Sequence, residues 1–361
     1  MFTELTNKLD SVFDLGVPFY DCIVLKDGEC VYRHNNGYTD QKDKVEVTGK
    51  ELYNLYSCSK LITCVSALQL VEKGLIGLDD EVSKYLPEYK NLTVKVGEDI
   101  VPAKNAMLIK HLFSMTGGMS YDLNLPSINS CRIDTNGKCP TRELVKRLAK
   151  EPLLFEPGEL FNYSLCHDVL AVVVEVVSKM TFGEYVKRNI FEPLGMKNST
   201  FLLDDKDLEK VVNQYVCVEG KGVVERDKKI DYKFGSEYES GGAGCVSTLE
   251  DYAKFLEAVR LGGVIIKKET VDLLATNVLN QKQLDSCYVY PLGYGYGLGQ
   301  RCPFNEEKTD FGWGGAAGSF YAIDRENKTT MLFTTHVLNH GDLHFFRYEL
   351  YPLVKKILSK I

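Results

Sequence analysis

Ser57-Cys58-Ser59-Lys60 places a hydroxyl and an amine three residues apart at the start of an apolar run. On a helix, residues i and i+3 share a face, so the spacing brings the Lys60 amine to the Ser57 oxygen. A serine hydroxyl is a weak nucleophile until an adjacent base takes its proton. Lysine serves as that base only when neutral, a state that burial favours by desolvation. The same spacing has a plain structural alternative, in which Ser57 caps the helix and Lys60 lies on its solvated face. The surrounding sequence has to decide between them.

The positioning elements are legible from periodicity. Leu61, Cys64, Val65, Leu68, Leu70 and Val71 predict a buried helix over 57–73, ended at Gly74. Upstream, Phe2, Leu5, Leu9, Val12 and Phe13 recur at helical spacing, and residues 19–26 and 29–34 flank Asp27-Gly28, a favoured hairpin turn. Residues 79–230 read as a helical lobe, with helices over 108–114, 141–150, 166–179 and 182–190. Strands are then expected at 243–246, 294–300, 319–324 and 329–336, with 325–328 as the last turn. Thr248 and Asp251 suit the start of a helix reaching Arg260, and 343–358 predicts a C-terminal helix despite Pro352. The expected architecture is one two-lobed α/β domain. An antiparallel sheet flanked by helices (1–78 and 231–361) joins an all-helical lobe (79–230), with the site in the cleft between them.

Composition narrows the function. A formal charge of −7, with no long basic run, argues against nucleic acid as a partner. Residues 1–20 carry Glu4, Lys8, Asp10 and Asp14, unlike a secretory leader, and the apolar run 170–177 contains Glu175 and is too short to span a bilayer. Eleven cysteines, odd in number and without a C-x-x-C pair, fit reduced thiols in a cytoplasm better than a zinc site or disulfides. Cys58 and Cys166, near the candidate residues, are expected to be buried and inert. No metal or organic cofactor is implied, and a small molecule is the expected partner.

Seven further pieces share one order with a known family: residues 55–61 around the serine, 74–87 with Gly74-Leu75-Ile76-Gly77-Leu78-Asp79-Asp80, 109–118, Phe155-Glu156-Pro157-Gly158 leading to Phe161-Asn162-Tyr163-Ser164, Glu192-Pro193-Leu194-Gly195-Met196, 242–255, and Tyr294-Gly295-Tyr296-Gly297. In these the chain resembles the class C β-lactamase and penicillin-binding-protein family of serine hydrolases, which also holds esterases and D-amino-acid peptidases. The resemblance implies Ser57 as the acyl-accepting nucleophile and Lys60 as its partner. The family's Tyr-x-Asn motif exchanges protons with the serine and the leaving group. Its literal match here, Tyr89-Lys90-Asn91, follows Pro87 in a surface-like loop, so Tyr163-Ser164-Leu165, after the Pro-Gly turn, is taken as the counterpart. Leu165 then stands where the family has a substrate-binding asparagine, and His167 is a possible polar substitute, though a histidine at a helix start is more often structural.

The family's third motif, Lys-Thr-Gly or His-x-Gly on an edge strand, corresponds best to Trp313-Gly314-Gly315, as in some esterase-like members. The glycines are expected to admit substrate backbone, Trp313 to offer it an indole face, and the N–H groups of Ser57 and Ala316 to form the oxyanion hole. The implied reaction is acyl transfer through an acyl-serine. A carboxylesterase on small esters or amides ranks ahead of a β-lactamase, a D-alanyl or D-amino-acid peptidase, or an acyltransferase. The alternative of another class is a ligand-binding member without catalysis.

Overall fold

The computed structural model describes residues 1–203, 205–305 and 307–360. Helix α1 (Thr3–Asp10) turns its buried Leu5 and Leu9 inward and leads to strands β1 (Phe19–Lys26) and β2 (Glu29–Asp40). Asp27 and Gly28 both adopt positive φ, +53° and +91°, as a tight hairpin turn requires. After β3 (Val45–Glu46) the chain leaves the sheet. It returns as β4 (Tyr294–Tyr296), β5 (Arg301–Pro303), β6 (Asp310–Gly314), β7 (Phe320–Asp324) and β8 (Thr329–Thr334). The strand order is β4-β5-β6-β7-β8-β1-β2-β3, antiparallel throughout, so the N-terminal hairpin closes onto the last strand.

Both faces of this sheet are covered, which explains why β7 and β8 are buried along their whole length instead of alternating. Side chains alternate across a strand. Phe320 therefore meets Tyr348 and Phe333 meets Phe346 on helix α5 (Gly341–Leu358), while Tyr321 and Thr330 face Tyr252 and Glu257 on α4 (Leu249–Leu261). Thr248 caps α4 by accepting from the Asp251 N–H at 3.2 Å.

Helix α2 (Ser59–Glu72) is buried from Ser59 to Leu70 and packs against α3 (Cys166–Ser178). A helix enclosed on all sides must satisfy its polar groups internally. Thr63 donates to the Gly241 carbonyl at 2.6 Å, Ser66 to Ile62 at 2.8 Å and Gln69 to Ile265 at 2.8 Å. Each buried Leu, Ile or Val on α2 contributes about 1.5–3 kcal/mol. That packing fixes the backbone from which Lys60 projects.

Three expectations are corrected. The lobe 79–230 is not all-helical: Thr93–Val96 pairs with Asp99–Pro102, and Gln214–Val218 pairs with Gly222–Arg226 and, in parallel, with Val337–Leu338. The first hairpin was readable in the β-branched residues flanking Gly97-Glu98; the second gains support only from the distant strand at 337–338. Residues 243–246 are not a strand. The glycine-rich run turns, and only Val246–Ser247 pairs, with Tyr53–Asn54. Tyr89 is buried, not in a surface loop, and donates to the Val145 carbonyl at 3.0 Å.

Candidate active site

Ser57 lies in a 3-10 turn, Tyr56–Cys58, immediately before α2. Tyr56 has φ of +48°, a left-handed conformation costly for a bulky residue. It is held there by its neighbours: its hydroxyl donates to Gln214 at 2.5 Å, its carbonyl accepts from Ser59 at 2.6 Å, and its ring meets Tyr232 edge-on. The kink presents Ser57 at the junction of the sheet and the helical lobe, with 8% of its surface exposed.

The Lys60 amine lies 3.3 Å from Ser57 Oγ, 3.4 Å from the Tyr121 hydroxyl and 2.7 Å from the Gly242 carbonyl. It is completely buried, and among the described residues no carboxylate touches it. Burial pushes its pKa down to about 8, against a weaker upward pull from the Asp168 carboxylate. A neutral amine here donates one N–H to Gly242 and keeps its lone pair for the Ser57 proton.

Tyr163 arrives from the helical lobe. Asn162 anchors it, donating through its backbone N–H to Met115 at 2.9 Å and through its amide to Met119 at 2.8 Å. The Tyr163 hydroxyl reaches the Ser57 side chain and accepts from the Trp313 indole N–H at 3.1 Å, and burial raises its pKa, keeping it a phenol. Burial thus displaces the two pKa values in opposite senses, each towards the neutral form of its group.

Sequence reasoning missed Tyr121. It sits three residues beyond the 109–118 stretch, with no spacing to mark it, and only the fold brings its hydroxyl to Ser57 and Lys60. Its ring stacks on Tyr232 at 5.4 Å and meets Tyr163 edge-on at 5.3 Å; Tyr288 completes an aromatic wall against Tyr163 and Trp313.

Other predicted residues take different places. Trp313, on β6, stacks on Tyr163 at 5.4 Å and is 3% exposed, so it positions the tyrosine instead of offering a free face to substrate. Gly314 and Gly315 make room for the protein itself. A Cβ at Gly314 would lie 2.7 Å from the Arg347 guanidinium, and one at Gly315 would lie 2.5 Å from the Leu55 carbonyl oxygen. Ala316 is exposed in the turn after β6. Leu165 is 2% exposed in the hydrophobic core and presents no surface to a substrate, because it closes the start of α3. His167 is fully buried, bonded to the Phe113 carbonyl at 3.1 Å, and held neutral with a pKa of about 3 by desolvation, so it is structural.

The sequence showed no cation at the third motif, but α5 supplies Arg347. Its donors go to the carbonyls of Gly315 and Ser319 and to His344. Arg301 and Arg325 pair with Asp310 and Asp272. A cavity of about 660 Å³ lined by Asn54, Phe201, Ile230 and Gly244 contains none of Ser57, Lys60 or Tyr163, so volume alone would point away from this chemistry. Among the described residues no cluster of His, Cys, Asp or Glu could hold a metal ion, and no helix is long and apolar enough to cross a membrane.

Comparison with known proteins bears on the family and the fold. The esterase EstB of Burkholderia gladioli is 26% identical over 94% of this chain and 92% of its own length. The ML-236A carboxylate methylbutanoyltransferase mlcH of Penicillium citrinum is 27% identical, over 61% of this chain and 54% of its own. In fold, the solved structure of EstCE1, described as a hydrolase with promiscuous acyltransferase activity, superposes with a TM-score of 0.78 at 22% identity, covering 96% of this chain and 98% of that one. The unliganded, selenomethionyl simvastatin synthase LovD of Aspergillus terreus gives 0.79 at 22%, covering 96% and 97%. The sequence model of the Beta-lactamase family matches residues 21–351, and the chain belongs to that family of serine hydrolases.

Proposed function

We propose that the chain is a carboxylesterase acting on small neutral esters, with Ser57 as nucleophile, Lys60 as general base and Tyr163 as the proton donor to the leaving group. The observation that carries this reading is the Lys60 amine, 3.3 Å from Ser57 Oγ, buried without a touching carboxylate and drawn down to a pKa of about 8 by desolvation. Ser57 Oγ bonds to the acyl carbon as its proton passes to Lys60. The N–H groups of Ser57 and Ala316 take the oxyanion, and the carbon–oxygen bond of the ester breaks as Tyr163 protonates the departing alkoxide. Tyr163 regains its proton from Lys60. Water then enters by the same route in reverse and releases the acid. Tyr121, in reach of both Ser57 and Lys60, supports the relay.

The preference for neutral esters rests on the lining. An anionic substrate would lose its hydration among Tyr121, Tyr163, Tyr232 and Tyr288, and both terminal nitrogens of Arg347 already donate within the protein. A second reading, transfer of the acyl group to an alcohol or amine, is favoured by the poor exposure of Ser57, which limits water, and by relatives named as acyltransferases. A cytoplasmic setting fits eleven free cysteines. The test is to label the protein with a fluorophosphonate, map the adduct by mass spectrometry, and compare turnover of p-nitrophenyl butyrate, nitrocefin and an acyl-D-Ala-D-Ala peptide. Adduct on Ser57, none in Ser57→Ala, and ester turnover well ahead of the other two are expected. Labelling elsewhere refutes the nucleophile, and efficient nitrocefin hydrolysis refutes the substrate class. Product partitioning with added alcohol separates the two readings.

A further inference from the structure

Near Lys60, α3 carries a second polar group that the reaction as written does not use. Asp168 is 1% exposed, and its Oδ1 accepts from the Tyr238 hydroxyl at 2.8 Å and from Ser240 at 2.7 Å. Ser240 also accepts from the Ala243 N–H at 3.0 Å, so the carboxylate braces the turn whose Gly242 carbonyl holds the Lys60 amine. The other oxygen, Oδ2, faces Lys60 across Gly242. A methyl group at Gly242 would lie 2.6 Å from Asp168 Oδ2 and 3.3 Å from Lys60 Nζ, which places the two charges within about 6 Å of each other. Any side chain at this position would crowd both groups.

The groups around the amine are Ser57, Cys58 and Cys64 from its own segment, Cys166, His167 and Asp168 from α3, and the hydroxyls of Tyr121 and Tyr163. Burial holds the thiols and phenols protonated and the histidine neutral. Asp168 is the carboxylate among these groups, and it pulls the Lys60 pKa upward against burial. Contact would lock Lys60 as an ammonium, whereas no carboxylate at all would leave burial unopposed and the amine a poor base.

We propose that Asp168 is a positioning residue that sets the basicity of Lys60 through space, its distance fixed by Tyr238, Ser240 and the missing side chain of Gly242. The inference rests on the reading of Lys60 as the base for Ser57. Asp168→Asn is the informative variant, because the amide oxygen still accepts from Tyr238 and Ser240 while the charge is gone. Asp168→Ser is a second neutral variant should the first not fold. Tyr238→Phe and Ser240→Ala remove a brace and keep the charge.

The measurement is the titration of the Lys60 amine by NMR on protein with isotopically labelled lysine, assigned with Lys60→Met, alongside the pH profile of kcat/KM for p-nitrophenyl butyrate. Loss of the charge is expected to lower the Lys60 midpoint by about one unit. The acid limb of kcat/KM should move down with it and the plateau should fall about tenfold, as for a weaker base. Each brace variant keeps the charge and leaves the other hydroxyl on Oδ1, so it should move the midpoint clearly less than Asp168→Asn does. A midpoint unmoved in whichever neutral variant folds, or moved as far by Tyr238→Phe, overturns the inference. A midpoint that falls while the kinetic limb stays put upholds the charge effect and instead refutes Lys60 as the base.

Discussion

Among the described residues one lysine and one arginine, Lys60 and Arg301, are wholly enclosed, and they are handled in opposite ways. Arg301, on β5, meets Asp310 at 2.7 Å, lies over the Tyr294 ring at 4.2 Å, and is held charged by that carboxylate, its pKa raised despite burial. Lys60 is equally buried, but its neighbours are a carbonyl, a serine and two tyrosine rings, and its pKa falls to about 8. A carboxylate in contact makes a buried cation part of the framework; one held at a distance leaves an amine that can shed its proton. The stability that ion pairing would give is forgone at Lys60 in exchange for chemistry.

The comparison breaks most visibly at the proposed catalytic base. Lys60→Met and Lys60→Arg should both lower ester turnover by roughly 10²–10⁴, the arginine no less than the methionine, because a guanidinium cannot give up its proton. Steady-state assays at saturating ester check this, and an active Lys60→Arg protein would show that charge, not basicity, is what matters. Next in size is Arg301→Met, which strands Asp310 and should cost about 3–5 kcal/mol in denaturant unfolding, while activity per folded molecule stays near normal. The same experiment on Lys60→Met should give the opposite sign. Because the folded pKa lies below the ordinary 10.5, the unfolded chain binds more protons between about pH 8 and 10.5. Wild-type stability therefore rises with pH across that window, and below it the buried ammonium is a penalty. Lys60→Met should lose that slope and be about 1–3 kcal/mol more stable at pH 7. The smallest expected change is Tyr121→Phe, which keeps the ring stacked on Tyr232 and loses one relay hydroxyl, for a drop of roughly tenfold in kcat. A drop as large as that of Tyr163→Phe would make Tyr121 an equal partner.

The contrast between Lys60 and Arg301 also shows what could be read in advance. Ser57 and Lys60 lie three residues apart on one turn, so helical spacing suggested the pair and the family context decided for it, and the sheet was legible in the Asp27-Gly28 hairpin and the apolar strands near the C-terminus. Tyr163 was found through its Pro-Gly turn and family context. Tyr121, Asp168 as a charge near Lys60, and Arg347 behind Gly314 were not found, because each reaches the site from a different element and no local spacing records that meeting. Glycines were recognised as sites of close approach, but sequence does not say to what. At Gly315 the visitor is the Leu55 carbonyl, not a substrate. Leu165 and Trp313 were expected at the substrate surface because the family motifs placed them there, whereas packing at the start of α3 and against Tyr163 buries both.

The central claim is that an unpaired, buried Lys60 is the base that activates Ser57, and the pH dependence of kcat/KM for p-nitrophenyl butyrate, corrected for spontaneous hydrolysis, tests it most directly. This ratio reports the ionisation of the free enzyme. The account predicts a rise of about tenfold per pH unit at the acid end, levelling near pH 8, where Lys60 becomes neutral. A flat profile from pH 6 to 9, or a limb centred near the ordinary histidine value of about 6.5, would contradict it.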